Sequence, residues 1–246
     1  MLIVIKKKVI ITSFLAVMFG IFILFNFESV MEVFDTKYLS VVVIDPGHGG
    51  IDGGAVSSTG VRESDINLAI SLKLKSIFEE NGWKVVMTRE KDEGLYSGNG
   101  SIRSKKMQDL VNRKKLIDKA EPDYVFIIHL NSFPQSSCYG AQTFYPSHSP
   151  ESKLLAAEVQ KALLEGIDNG NHRQIKAKND ILLLKNVKVP TVLVECGFLS
   201  NSNEAQLLQT DDYQMKLSEC IYKGLLEYCE VTNNPPKKSI DYVVNE

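Results

Sequence analysis

Three apolar runs, each closed by a residue that can ionise or bind a metal, constrain this chain more than any other feature. They are VVVIDPGH ending at His48, YVFIIH ending at His129 and TVLVE ending at Glu195. Short runs rich in Val and Ile, without polar alternation, read as strands buried on both faces. In open α/β sheets, ligands bind in the crevice beyond the carboxyl ends of parallel strands. If the three strands are parallel neighbours, their terminal groups converge there. Any one of them alone carries little weight, because polar residues commonly end strands. Together they use two of only four histidines in the chain, and that combination points to a site.

The intervening sequence supplies the helices. After Leu39–Ile44, Asp45-Pro46-Gly47 breaks the first strand, and a glycine-rich loop runs to Gly60. Asp65 is placed to cap a helix from Ile66 to about Glu80, with Ile66, Ala69, Ile70, Leu74, Ile77 and Phe78 at helical spacing. Asn81-Gly82 stops it before a strand over Trp83–Thr88. A basic helix is predicted from about Ile102 to Ala120, then a strand over Tyr124–Ile128 ending at His129 and another over Ala141–Tyr145. A helix follows from Glu151 to about Gly166, a short extended segment over Ile181–Leu184, a strand over Thr191–Val194, and a last helix from about Asp211 to Tyr228. Strands alternating with long helices predict a single α/β domain, residues 39–229, with a twisted, mostly parallel sheet of about six strands and helices on both faces. The polar tail, residues 230–246, is expected to be loose.

Residues 1–38 stand apart as an anchor or signal segment plus spacer. Lys6, Lys7 and Lys8 precede Val9–Phe27, 19 residues without a charge. As a helix that run would nearly cross a hydrocarbon core of about 30 Å. Basic residues before it and Glu28, Glu32 and Asp35 after it place the bulk of the chain outside the cytoplasm. The run is longer than a usual signal core and no A-x-A site follows, which favours a retained anchor in contact with the membrane. A net charge of -2 gives no electrostatic case for nucleic acid. Cys138, Cys196, Cys220 and Cys229 fit no zinc-ribbon or disulfide-scaffold spacing. Cys220 and Cys229 fall on opposite sides of one helix, so isolated thiols are expected.

Two imidazoles and one carboxylate suit zinc with a coordination position left open. For the carboxylate, Glu63 lies just ahead of a helix and fifteen residues after His48, while Asp52 and Asp65 are rivals. Local reading does not choose among them. A resemblance does. IDPGHGGIDGGA at 44–55, Arg62-Glu63, FIIHLNS at 126–132 and VLVECGFLSNSNEAQLL at 192–208 resemble the zinc-dependent N-acetylmuramoyl-L-alanine amidases of the Amidase_3 family, in order and spacing across essentially the whole domain. The resemblance implies one Zn2+ per chain held by His48, Glu63 and His129, with Glu195 as the catalytic glutamate. The compact length, the basic helix and HLNS resemble the germination-specific, spore-cortex branch most. It further implies an exported or membrane-anchored enzyme of the cell wall or spore intermembrane space. The enzyme would cut the bond between the lactyl group of N-acetylmuramic acid and L-alanine in peptidoglycan, in cortex maturation for germination. Glycan strands and stem peptides are the expected partners, with an activating protein as a further one.

Other readings are weaker. GHGGIDGG lacks the Lys-Ser/Thr of a phosphate cradle. Cys196 faces away from Glu195 on an extended strand, which disfavours a cysteine nucleophile. His148 and His172 lie in polar loops and read as surface residues. Asn131 is a candidate for binding substrate or for capping the next turn. Arg103, Lys105, Lys106, Arg113, Lys114 and Lys115 read as a solvated face. A zinc carboxypeptidase acting on wall peptides and a non-catalytic wall-binding module remain as alternative functions.

Overall fold

The structure, a computed structural model, describes Met18 and residues 40–236. The apolar run at Val9–Phe27, apart from Met18, and the last ten residues of the tail lie outside the described residues. Contacts divide the chain between Tyr38 and Leu39, and the second unit holds every element named below.

The apolar runs form the centre of a six-stranded sheet. Its strands are β1 (Val41–Pro46), β2 (Lys84–Met87), β3 (Tyr124–Asn131), β4 (Gln142–Tyr145), β5 (Lys176–Ala177) and β6 (Thr191–Phe198), in the order β2-β1-β3-β6-β4-β5. The first four in that order are parallel, and β4 runs antiparallel to β6. The strands with titratable groups are therefore adjacent and point the same way. Two of them continue past the expected ends, so His129 and Glu195 stand within β3 and β6 rather than closing them.

Five helices complete the domain: α1 (Glu63–Glu80), α2 (Ile102–Ala120), α3 (Pro150–Ile167), α4 (Ser202–Leu207) and α5 (Asp211–Val231). The two sheet faces are covered unequally. Val42, Ile44, Phe126, Ile128, Val192 and Val194 pack beneath α1, α3 and α5. The opposite face, with Val43, Val125, Ile127 and Leu193, is covered by Ile117 and Ala120 of α2 and a short 3-10 turn at Leu182–Leu184. That thin layer leaves room for a cleft. The helices α3 and α5 approach so closely that a Cβ on Gly224 would lie 2.5 Å from the Val159 Cα.

Several local expectations change. The segment at Ile181–Leu184 is not extended, because Leu184 N–H and Lys185 N–H donate back three residues to Ile181 and Leu182. The turn α4 and the two-residue β5 have too little periodicity to be seen in the sequence. Asp65 is not a cap: α1 starts at Glu63, and no side chain caps it. Instead, Glu63 N–H donates to the Ala55 carbonyl at 2.8 Å and Ser64 N–H to Gly53 at 3.1 Å. The glycine-rich loop thus satisfies amides that an α-helix leaves without partners, and this docks Glu63 against the loop that carries His48.

Among the described residues, no helix is long and apolar enough to cross a membrane. The four cysteines are free thiols, three of them buried.

Candidate active site

The path of the backbone past β1 sets the position of His48. Gly47 N–H extends the β1–β3 ladder by donating to Ile128 at 2.9 Å. His48 then takes a left-handed backbone with φ 62°, a strained conformation for a residue with a side chain. Two buried arginines hold it. Arg113 donates to the Pro46 carbonyl at 2.7 Å and to the His48 carbonyl, while Arg89 donates to Pro46 and Gly47 at 2.9 Å each. Arg113 is 1% exposed and also pairs with Asp45 at 3.0 Å and Asp109 at 2.7 Å. Its assignment to a solvated basic face is therefore corrected. The sequence does carry a signal: Asp109, Arg113 and Ile117 recur every fourth residue, on one side of α2, and all three are buried.

Close approach explains two of the glycines. A Cβ at Gly47 would lie 2.3 Å from His129 Nε2, and one at Gly54, where φ is 70°, 2.6 Å from Glu63 Oε2. The loop can pass between these side chains only without a Cβ.

His48, Glu63 and His129 come together, with ligand atoms all within 4.8 Å of one another. Glu63 Oε1 is 3.3 Å from His48 Nε2 and 2.9 Å from His129 Nδ1. Backbone amides of Leu130 and Ala55 and the Asn67 side chain donate to the same carboxylate. Burial alone would raise the Glu63 carboxyl, but hydrogen bonds from His129 and His48 hold it far below the ordinary range. Burial would lower the His48 imidazole, yet the nearby Asp52 and Glu63 carboxylates push it up to about 9. Two imidazoles and a carboxylate facing one point form a donor set that fits a divalent metal ion.

The rival carboxylates sit elsewhere. Asp65 pairs with Arg62 at 2.6 Å on the surface. Asp52 stands behind His48, 3.0 Å from Nδ1.

Glu195 pairs in register with His129, so both side chains project from the thinly covered face of the sheet. It is 9% exposed, and its Oε2 has no hydrogen-bond partner. Burial is the main cause that raises its carboxyl above the ordinary value, outweighing the attraction of His129. Cys196 next to it is fully buried in the opposite core. Asn131 ends β3 beyond a register shift, and its side chain makes no hydrogen bond among the described residues. His148 and His172 are exposed, as expected of loop residues. A cleft of about 390 Å³ opens from His48 and His129 between α2 and the 3-10 turn, lined by Lys106, Met107, Ile181 and Leu182. A second cavity of about 300 Å³ lies near Val125 and Thr191, at the opposite ends of the strands, and contains none of these groups.

The model of the Amidase_3 family, N-acetylmuramoyl-L-alanine amidase, matches residues 42–227. The chain belongs to this family. It is 38% identical over 198 residues to the germination-specific N-acetylmuramoyl-L-alanine amidase of Bacillus subtilis, covering 80% of this chain and 83% of that one. Among solved structures it resembles the CwlD amidase of Clostridioides difficile, determined in complex with the GerS lipoprotein. The identity is 44% and the TM-score 0.77, with 78% of this chain and 99% of that one covered. The catalytic domain of CwlV, an N-acetylmuramoyl-L-alanine amidase from Bacillus (Paenibacillus) polymyxa, aligns with TM-score 0.67 and 32% identity over 78% of this chain and 99% of that one. The match to this N-acetylmuramoyl-L-alanine amidase family spans His48, Glu63, His129 and Glu195.

Proposed function

We propose that the domain, residues 39–229, is a zinc amidase. It hydrolyses the bond between the lactyl carbonyl of N-acetylmuramic acid and the L-alanine nitrogen of the stem peptide, in the spore cortex. The observation that carries this reading is the His48, Glu63 and His129 cluster with Glu195 in register beside it. His48, Glu63 and His129 would hold one Zn2+, which would supply polarisation of the scissile carbonyl and acidification of water.

The chain's own residues carry the proton. Glu195, nearly enclosed, accepts a proton from the attacking water. It then gives that proton to the nitrogen of L-alanine as the C–N bond breaks, so the products are a lactyl carboxylate and a free amine. Its unpaired Oε2 suits this role, because no competing hydrogen bond occupies the atom. The cleft between α2 and the 3-10 turn receives the substrate, and Asn131 at the end of β3 contacts it.

Similarity to the germination-specific relative supports the cortex as the site of action. The pairing of the CwlD amidase with a lipoprotein supports a protein partner here also. The N-terminal segment, residues 1–38, tethers the enzyme to the outer side of the membrane, as the charges around Val9–Phe27 suggest. The test is mass spectrometry of cortex muropeptides digested with the zinc-loaded protein. Intact stem peptides beginning with L-alanine are expected. Free C-terminal amino acids would replace this reading with a carboxypeptidase, and binding without cleavage would replace it with a wall-binding module.

A further inference from the structure

We infer that Asp52 is a positioning residue that orients His48 toward the metal, and that Lys106 holds Asp52 in place. The inference rests on the metal reading above and extends it beyond the three ligands.

The backbone of residues 49–52 closes on itself, with Gly49 N–H donating to Asp52 O at 2.7 Å and Asp52 N–H to Gly49 O at 3.1 Å. This tight turn places His48 and Asp52 side by side at its mouth. The two ring nitrogens of His48 then meet different carboxylates. Nε2 faces Glu63 Oε1, the oxygen that His129 also touches, at 3.3 Å. Nδ1 is buried and faces Asp52 Oδ2 at 3.0 Å, an ion-pair contact that lies off the N–H axis. A ring drawn by two carboxylates at once satisfies neither perfectly. A metal-binding imidazole donates its other N–H to an outer partner, which sets the tautomer and the ring rotation. An anion beside Nδ1 fixes the ring rotation that turns Nε2 toward Glu63 and His129.

The geometry also shows why Asp52 is not itself a ligand. Its other oxygen, Oδ1, accepts from Lys106 Nζ at 2.7 Å and from Gly54 N–H at 3.3 Å. Turning the carboxylate into the cluster would break both contacts. Lys106 comes from α2, the helix whose Arg113 clamps the His48 carbonyl. One helix thus controls two degrees of freedom of the ligand: Arg113 its backbone direction, and Lys106, through Asp52, its ring rotation. The residue that sequence alone left as a rival to Glu63 acquires a separate task.

The experiment measures zinc affinity of the full-length protein by chelator competition, without reference to hydrolysis. Asp52→Asn keeps the acceptor for Gly54 but removes the charge, and should weaken zinc binding by about 10- to 100-fold. Lys106→Met, which leaves the loop intact, should weaken it less. Neither variant should lower the Tm of the metal-free protein appreciably. In the cobalt(II)-loaded form, Asp52→Asn should shift the visible absorption of the ion, because the basicity of its His48 ligand changes. Wild-type affinity in Asp52→Asn overturns the inference. A lowered metal-free Tm with an unchanged cobalt spectrum also overturns it, reducing Asp52 to a loop-folding residue. Absence of stoichiometric zinc in the wild type removes the metal reading itself, and is seen before any variant is made.

Discussion

Glu195 and His48 are both displaced from their ordinary titration, in ways that oppose or shape folding. The Glu195 carboxyl is raised by burial. A raised folded pKa favours the protonated form, so its contribution to stability is full below the unfolded value and is lost as pH rises through the folded one. Above the unfolded value, burial of this carboxyl therefore opposes folding. Glu195→Gln should raise the Tm of the metal-free protein at pH 7, retain stoichiometric zinc, and lower kcat by about 100- to 10,000-fold. Thermal denaturation and turnover, measured on one preparation, check the pair of effects. For His48 the metal-free imidazole is raised to about 9, despite burial, by Asp52 and Glu63. Its contribution to the metal-free fold is present below the unfolded value near 6.5 and fades as pH rises through about 9. At neutral pH a metal must displace that proton. Zinc affinity should climb with pH up to about 9, and calorimetry in buffers of different ionisation enthalpy should show proton release at pH 7. Heats independent of the buffer would contradict it.

At the scale of elements, α2 does more than cover a sheet face. Its buried Arg113 ties β1, through Asp45 and the Pro46 carbonyl, to the backbone of His48. Asp45 is itself buried and accepts from Thr88 just beyond β2. Removing one member of such a group leaves uncompensated charge, which costs far more than the pair gains over an apolar replacement. Arg113→Met strands Asp45 and Asp109 and should destabilise the domain by about 3–5 kcal/mol. Denaturant unfolding measures this, and a loss below about 1 kcal/mol, typical of exposed pairs, would show that the guanidinium is not held as described.

The whole molecule joins a compact amidase domain to an N-terminal segment of a different chemical character. The uneven covering of the sheet, three long helices on one face against one helix and a 3-10 turn on the other, opens the cleft beside His48 and His129. Val9–Phe27 is long enough to anchor the chain. If it does so, the full-length protein should sediment with membranes and resist high salt, whereas residues 39–246 alone should stay in the supernatant. Cell fractionation of the two forms checks this, and recovery of the full-length protein in the supernatant would count against a retained anchor.

The apolar runs at 41–46, 124–131 and 191–198 determined by themselves that this is an α/β protein with its candidate site near the carboxyl ends of parallel strands. Uninterrupted Val, Ile and Leu at that length have few other places to go. The family motifs added which residues to watch. Other features were decided only in three dimensions, because they depend on groups distant in the chain. The start of α1 is set by carbonyls of residues 53 and 55 rather than by a capping side chain. The burial of Arg113 depends on Asp45, 68 residues away. The division between Glu63 as a candidate ligand and Asp52 behind His48 depends on Lys106, which occupies one Asp52 oxygen from a separate helix. Periodicity reports which face of an element is apolar, but the partner that neutralises a buried charge is fixed only when the elements pack.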